Sequence, residues 1–149
     1  MSLDAKQLKE SLVRAGLEVY RSRPSEVHVA ERVRSHIMDS GVKLMLAPGE
    51  ALEVRFAART QRSDYPDSPE DELFARVRTV VGERAIDRGF AERESGTIEV
   101  KDPVDPGRTL DVWHEVTYTK SVGDVTEAID EIRWALGIDR YVMPGGSSS

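Results

Sequence analysis

The sequence predicts an α+β domain in which an antiparallel sheet of four or more strands carries its helices on one face. Three observations lead there. Apolar residues recur at helical spacing in Ser68–Gly89 and Asp124–Gly137, they alternate with polar ones at 42–58 and 97–118, and a Pro-Gly turn divides each alternating stretch in two.

In chain order, Ala5, Leu8, Leu12 and Ala15 share one helical face over residues 4–16, and Gly16 ends the helix. Residues 17–24 fit either a short strand through Leu17, Val19 and Tyr20 or a helix running on to Pro24. Ser25–Ser40 reads as a second helix, with Val29, Ala30, Val33 and Ile37 aligned and Gly41 as its stop, so residues 1–40 are expected to be mainly helical. From Val42 the period becomes two. Val42, Leu44 and Leu46, a turn at 47–50, and Leu52, Val54, Phe56 and Ala58 make a β-hairpin with one wet face, and 61–67 is a polar loop.

Ser68 is the expected N-cap of the central helix, with Pro69 in its first position and Glu70, Asp71 and Glu72 at the positive end of the helix dipole. Leu73, Phe74, Val77, Val80 and Val81 form its buried stripe. Gly82 is an anomaly there, since glycine inside a helix costs up to about 1 kcal/mol relative to alanine. Gly89 is placed to end the helix in a left-handed conformation, with Phe90 folding back on Ala85 and Ile86. A second hairpin follows, through Ile98 and Val100, the turn at 102–107, and a strand with Leu110, Val112, His114, Val116 and Tyr118 on one face and Asp111, Trp113, Glu115, Thr117 and Thr119 on the other. Asp124 caps the last helix with Glu127 as capping-box partner, and Val125, Ala128, Ile129, Ile132 and Leu136 form its stripe. Residues 144–149 read as a disordered tail, so 1–143 is expected to be a single domain.

The two hairpins share Pro-Gly-x-x-Leu-acid-Val at a constant offset of 58 residues, from Pro48 and from Pro106. Residues 42–137 can therefore be read as two β-β-α units, a duplication in which Phe56 and His114 are equivalent and both point under the helices. The alternative is ordinary turn chemistry between half-buried strands. The order helix, strands, helix, strand pair, helix resembles the small acidic chaperones of bacterial type III secretion as a fold-level analogy that supplies no residues.

The chain has 149 residues, a formal net charge of -6 and no cysteine. This balance gives no general attraction to nucleic acid or anionic membrane, and the missing thiols exclude disulfides, thiolate zinc sites and a cysteine nucleophile. Neither a secretory signal nor an apolar run near the ~20 residues that span a bilayer is present, so a cytoplasmic protein is expected. No phosphate loop, dinucleotide fingerprint or nucleophile elbow occurs, and His28, Glu31 and His36 lack a zinc spacing; no metal or cofactor is expected.

Chemistry therefore rests on few residues. His114, among apolar strand neighbours, must find a hydrogen bond or line a cavity, and with Tyr118 it is a weak catalytic candidate. Arg55, Arg59, Met45 and Trp113 are expected on the open sheet face, and Trp134 on the outward side of the last helix, as partner-binding residues. The leading expectation is a non-enzymatic protein-binding or assembly module, chaperone-like in kind, forming a homodimer or hetero-complex through that face and the last helix. Two alternatives stand beside it: a small hydrolase or isomerase with a cavity lined by His114, Tyr118 and Phe56, and, more distantly, a sheet surface that binds RNA.

Overall fold

Six strands, with alternating burial most regular along β4, join in one antiparallel sheet of order β1-β2-β3-β4-β6-β5 with the helices on one face. The computed structural model describes residues 4–144. The elements are α1 (Ala5–Arg14), β1 (Val19–Arg23), β2 (Glu26–Val33), β3 (His36–Ala47), β4 (Ala51–Gln61), α2 (Glu70–Val77), a π turn (Arg78–Gly82), α3 (Glu83–Asp87), β5 (Ala91–Lys101), β6 (Thr109–Val122) and α4 (Val125–Gly137). The expected tail at 144–149 lies outside the described residues, apart from Pro144. The chain divides into two compact units, one of residues up to Phe56 with Thr119–Ile138, the other of Ala57–Tyr118 with the residues from Asp139.

In the first unit, α1 begins with a capping box: the Asp4 carboxylate accepts the Gln7 N–H while the Gln7 side chain accepts the Asp4 N–H. Residues 17–24 resolve as the strand β1. The second helix expected at Ser25–Ser40 does not form, and the first forty residues are not mainly helical: β2 and β3 pair there as a hairpin from Glu26↔Met45 to Val33↔His36. Strand irregularity explains the misreading. The register shifts between His28 and Ala30, and Gly41, expected to stop a helix, instead sits at φ 79 in the offset stretch of β3, where the buried Ser40 hydroxyl donates to the Val29 carbonyl. Val29 and Ala30 are both buried, so the apolar positions 29, 30, 33 and 37 lose their period of two and imitate a helix.

The β2–β3 turn is made by Arg34 and Ser35 at φ 50 and 68, positions where Asn-Gly is the usual choice. The double substitution Arg34→Asn, Ser35→Gly is expected to raise stability by about 1 kcal/mol, measured by urea denaturation; an unchanged midpoint would mean the turn is not strained.

The expected β3–β4 hairpin forms, in the register Val42↔Phe56 through Ala47↔Ala51. On α4, Asp124 accepts the Glu127 N–H, and Glu127 accepts from Gly123. The buried positions are Ala128, Glu131, Ile132 and Ala135, with Lys120 bonding Glu131 at 2.8 Å. That pattern overturns the outward placement of Trp134, whose ring meets buried Phe56 edge-on at 6.0 Å. Anchored on Val125 and Ile129, the stripe looked opposite to Trp134; centred on the two alanines, it leaves the indole at its flank, about 110° away.

In the second unit, the central helix starts at Glu70 rather than at Ser68. Pro69 is extended at φ -70, ψ 159 and provides no side-chain cap, and Ser68, preceding a proline, is held out of the helix, so the first-turn acids Glu70, Asp71 and Glu72 take over the compensation. Leu73, Val77, Val81 and Ala85 form the buried stripe. Gly89 stands at φ 100, and the Phe90 N–H bonds the Ala85 carbonyl at 2.9 Å, the ending the sequence predicts. Halfway along, the ladder widens into the π turn, where the Glu83 N–H bonds the Arg78 carbonyl.

Candidate functional site

Alternation along β4 and β6 buries the even positions Phe56, Ala58, Thr60, His114, Val116 and Tyr118 and leaves Arg55, Arg59, Trp113, Glu115 and Thr117 half-buried on the opposite, helix-free face. The expected partner-binding residues are divided between the two units. Met45 and Arg55 belong to the first unit, where Met45 lies between Glu26 and Glu53 on neighbouring strands. Arg55 bonds Glu53 at 3.0 Å, and Glu53 also accepts from Thr119 at 3.3 Å. Its charge is thus engaged within the chain.

Arg59 and Trp113 meet in the second unit. The Arg59 guanidinium lies 3.9 Å from the centre of the Trp113 ring and 5.4 Å from that of Tyr141, a cation within reach of two aromatic faces. Tyr141 is brought there by backbone pairing, since the Arg59 N–H donates to the Arg140 carbonyl and the Val142 N–H to the Arg59 carbonyl, both at 2.8 Å. Its hydroxyl donates to the Asp64 carboxylate and lies 2.7 Å from the Gln61 side-chain oxygen, while Tyr65 donates to the Val142 carbonyl at 3.2 Å. Burial, and then the bond to Asp64, push the Tyr141 phenol well above its ordinary range. Beside Trp113 on its strand, Asp111 accepts the Ser63 hydroxyl at 2.6 Å and the Ser63 N–H at 3.0 Å. Burial raises the Asp111 carboxyl, but these bonds, the Val112 N–H and the Arg62 charge outweigh it and hold the group below its usual value. Tyr141, Asp64 and Gln61 escaped the sequence reading because nothing local announces that residues 140–142 pair with β4.

The other candidates, His114 and Tyr118, lie in the buried layer of the same unit. His114 is fully buried against Phe74, edge to face at 5.1 Å, and neither ring nitrogen has a hydrogen-bond partner among the described residues. Burial first, then the Arg62 charge, lower its pKa below 6.5, against weaker pulls from Glu70, the Val112 backbone and Asp111. Tyr118 is equally buried, and its phenol is pushed up to about 12 by burial and the Glu92 charge, with Arg78 opposing. Phe56, the third residue of the expected cavity, is buried in the first unit. Phe56 meets Trp134 of α4 and His114 meets Phe74 of α2, both edge to face, but Phe74 and Trp134 stand 60 residues apart rather than 58.

No family model, curated protein or solved structure matches this chain. The site therefore has to be read from its own residues. His28 is bonded by Glu26 at 2.7 Å and Asp39 at 3.3 Å, and His36 is exposed; among the described residues no group of three or more His, Asp or Glu is placed to hold a metal ion. Among the described residues, no helix is long and apolar enough to cross a membrane.

Proposed function

We propose that the protein is a non-enzymatic, cytoplasmic protein-binding or assembly module that docks a partner on its helix-free sheet face around Trp113. The Arg59 guanidinium over the Trp113 ring and near that of Tyr141 carries this reading. Tryptophan, tyrosine and arginine are enriched among the residues that carry binding energy at protein interfaces, and here Arg59 already holds against the Trp113 ring with Tyr141 nearby, so docking freezes little side-chain freedom. Asp64 and Asp111 beside them disfavour a phosphate backbone and so argue against RNA. The absence of cysteine suits a reducing compartment.

The unpartnered nitrogens of His114 favour the hydrolase or isomerase alternative, whereas its complete burial, shared by Tyr118, favours a structural role. Affinity capture from the native host with wild type, Trp113→Ala and Arg59→Ala as baits tests the proposal. A protein enriched by wild type is expected to bind both folded variants about 30-fold more weakly, the scale of a hot-spot truncation. Equal recovery by all three baits would reject the Trp113 face.

A further inference from the structure

Strand β5 ends the sheet, so among the described residues one of its backbone edges has no neighbouring strand, and residues 91–99 are exposed on both faces. Such an edge is a template for a further strand. Charged side chains commonly guard edges of this kind, and β5 carries Glu92, Arg93, Glu94, Glu99 and Lys101. Their order is nevertheless self-complementary.

A two-fold axis perpendicular to the sheet sets two copies of a strand antiparallel and keeps each residue on its own face, so the axis must pass through a residue position. For Ala91–Lys101 the only centre that pairs all eleven residues is Gly96. That centre sets Arg93 opposite Glu99 and Ser95 opposite Thr97, each twice, and these are favourable cross-strand pairs. Moving the centre to Thr97 sets Arg93 against Lys101. Backbone direction agrees. The Asp102 N–H points inward to the Arg108 carbonyl, and continuing that alternation turns the polar groups of the odd residues, Arg93, Ser95, Thr97 and Glu99 among them, outward to the free edge.

Gly96 itself is the second observation. Glycine weakens a strand interior and marks bulges or places where another backbone comes close. Among the described residues nothing calls for it: its φ is not positive, and a Cβ there would meet no atom of them within 4 Å beyond its chain neighbours. On the two-fold axis it would face its own copy across a non-hydrogen-bonded pair, where Cα atoms stand about 4.5 Å apart.

We propose that the chain forms a symmetric dimer by antiparallel pairing of β5 with β5 of a second copy, centred on Gly96. This surface is distinct from the Trp113 face and does not depend on the function proposed for it. Sedimentation over a concentration series should show a reversible dimer. Arg93→Glu or Glu99→Arg alone should weaken it about tenfold by creating two like-charge pairs, and the combined exchange should restore it. The chain has no cysteine, so Gly96→Cys introduces a single thiol, and mild oxidation should yield a disulfide-linked dimer because the paired Cα distance falls within disulfide range. The exposed control Ser63→Cys should not cross-link at the same rate. A monomer at every concentration would overturn the proposal. So would a dimer indifferent to both charge reversals, or one in which Gly96→Cys links no faster than the control.

Discussion

Gly82→Ala is expected to destabilise the protein, although alanine is the better helix former. A Cβ at Gly82 would lie 2.5 Å from the Tyr118 hydroxyl oxygen, with the ring carbon bearing it at 3.4 Å. The obstructing atom cannot swing aside, because it ends a rigid ring that is fully buried. Overpacking of this kind costs about 1–3 kcal/mol, against a gain of up to about 1 kcal/mol in helix propensity, for a net loss of about 1–2 kcal/mol. In the Tyr118→Phe background the ring carbon at 3.4 Å would be at ordinary van der Waals distance, and the same substitution should become neutral or stabilising. A double-mutant cycle by urea denaturation measures this coupling; additive effects would show that the hydroxyl is not the obstacle. The glycine that looked like a defect in an amphipathic helix is thus where that helix passes over a tyrosine.

His114→Leu should make the protein more stable, and increasingly so as the pH falls. Leaving buried polar atoms unsatisfied costs about 1–3 kcal/mol, and leucine of similar volume removes both nitrogens while keeping the packing against Phe74. The sign of the pH effect follows from the folded pKa being depressed below 6.5. The contribution of the neutral imidazole is complete above 6.5 and is lost as pH falls from there through the folded value, because the unfolded chain takes up the proton more readily. The stability difference between variant and wild type, followed by denaturation from pH 7.5 to 5.5, should therefore widen on acidification. Comparing the two proteins cancels contributions common to both. A variant less stable than wild type throughout would mean that the imidazole is satisfied and structural.

Legibility in the sequence followed regularity. The β3–β4 hairpin, the outer face of β6 and the helix ending at Gly89 and Phe90 were readable because each follows a local period or turn rule. The β2–β3 hairpin was not, since its turn residues, Arg34 and Ser35, carry no turn signature and the offset at Gly41 breaks the alternation. Trp134 was misplaced because two alanines, weak as hydrophobic markers, define the side of α4 that packs closest. Of the candidate site, Trp113 and Arg59 were found by face counting. Tyr141 was not, as its place depends on a pairing across some eighty residues with Gln61.

The interleaving of the two units bears on how the chain is made. The first unit joins residues up to Phe56 to Thr119–Ile138, with the whole of Ala57–Tyr118 between them, and the second draws on residues beyond Asp139. During synthesis, the amino-terminal strands emerge long before α4, the helix that covers Phe56. Neither half can close early, and the loop entropy of distant pairing is met before its contacts repay it, which slows folding. A growing chain would expose Val27, Val29, Leu44 and Val54 for most of its time on the ribosome, and a nascent-chain holdase would find its substrate there.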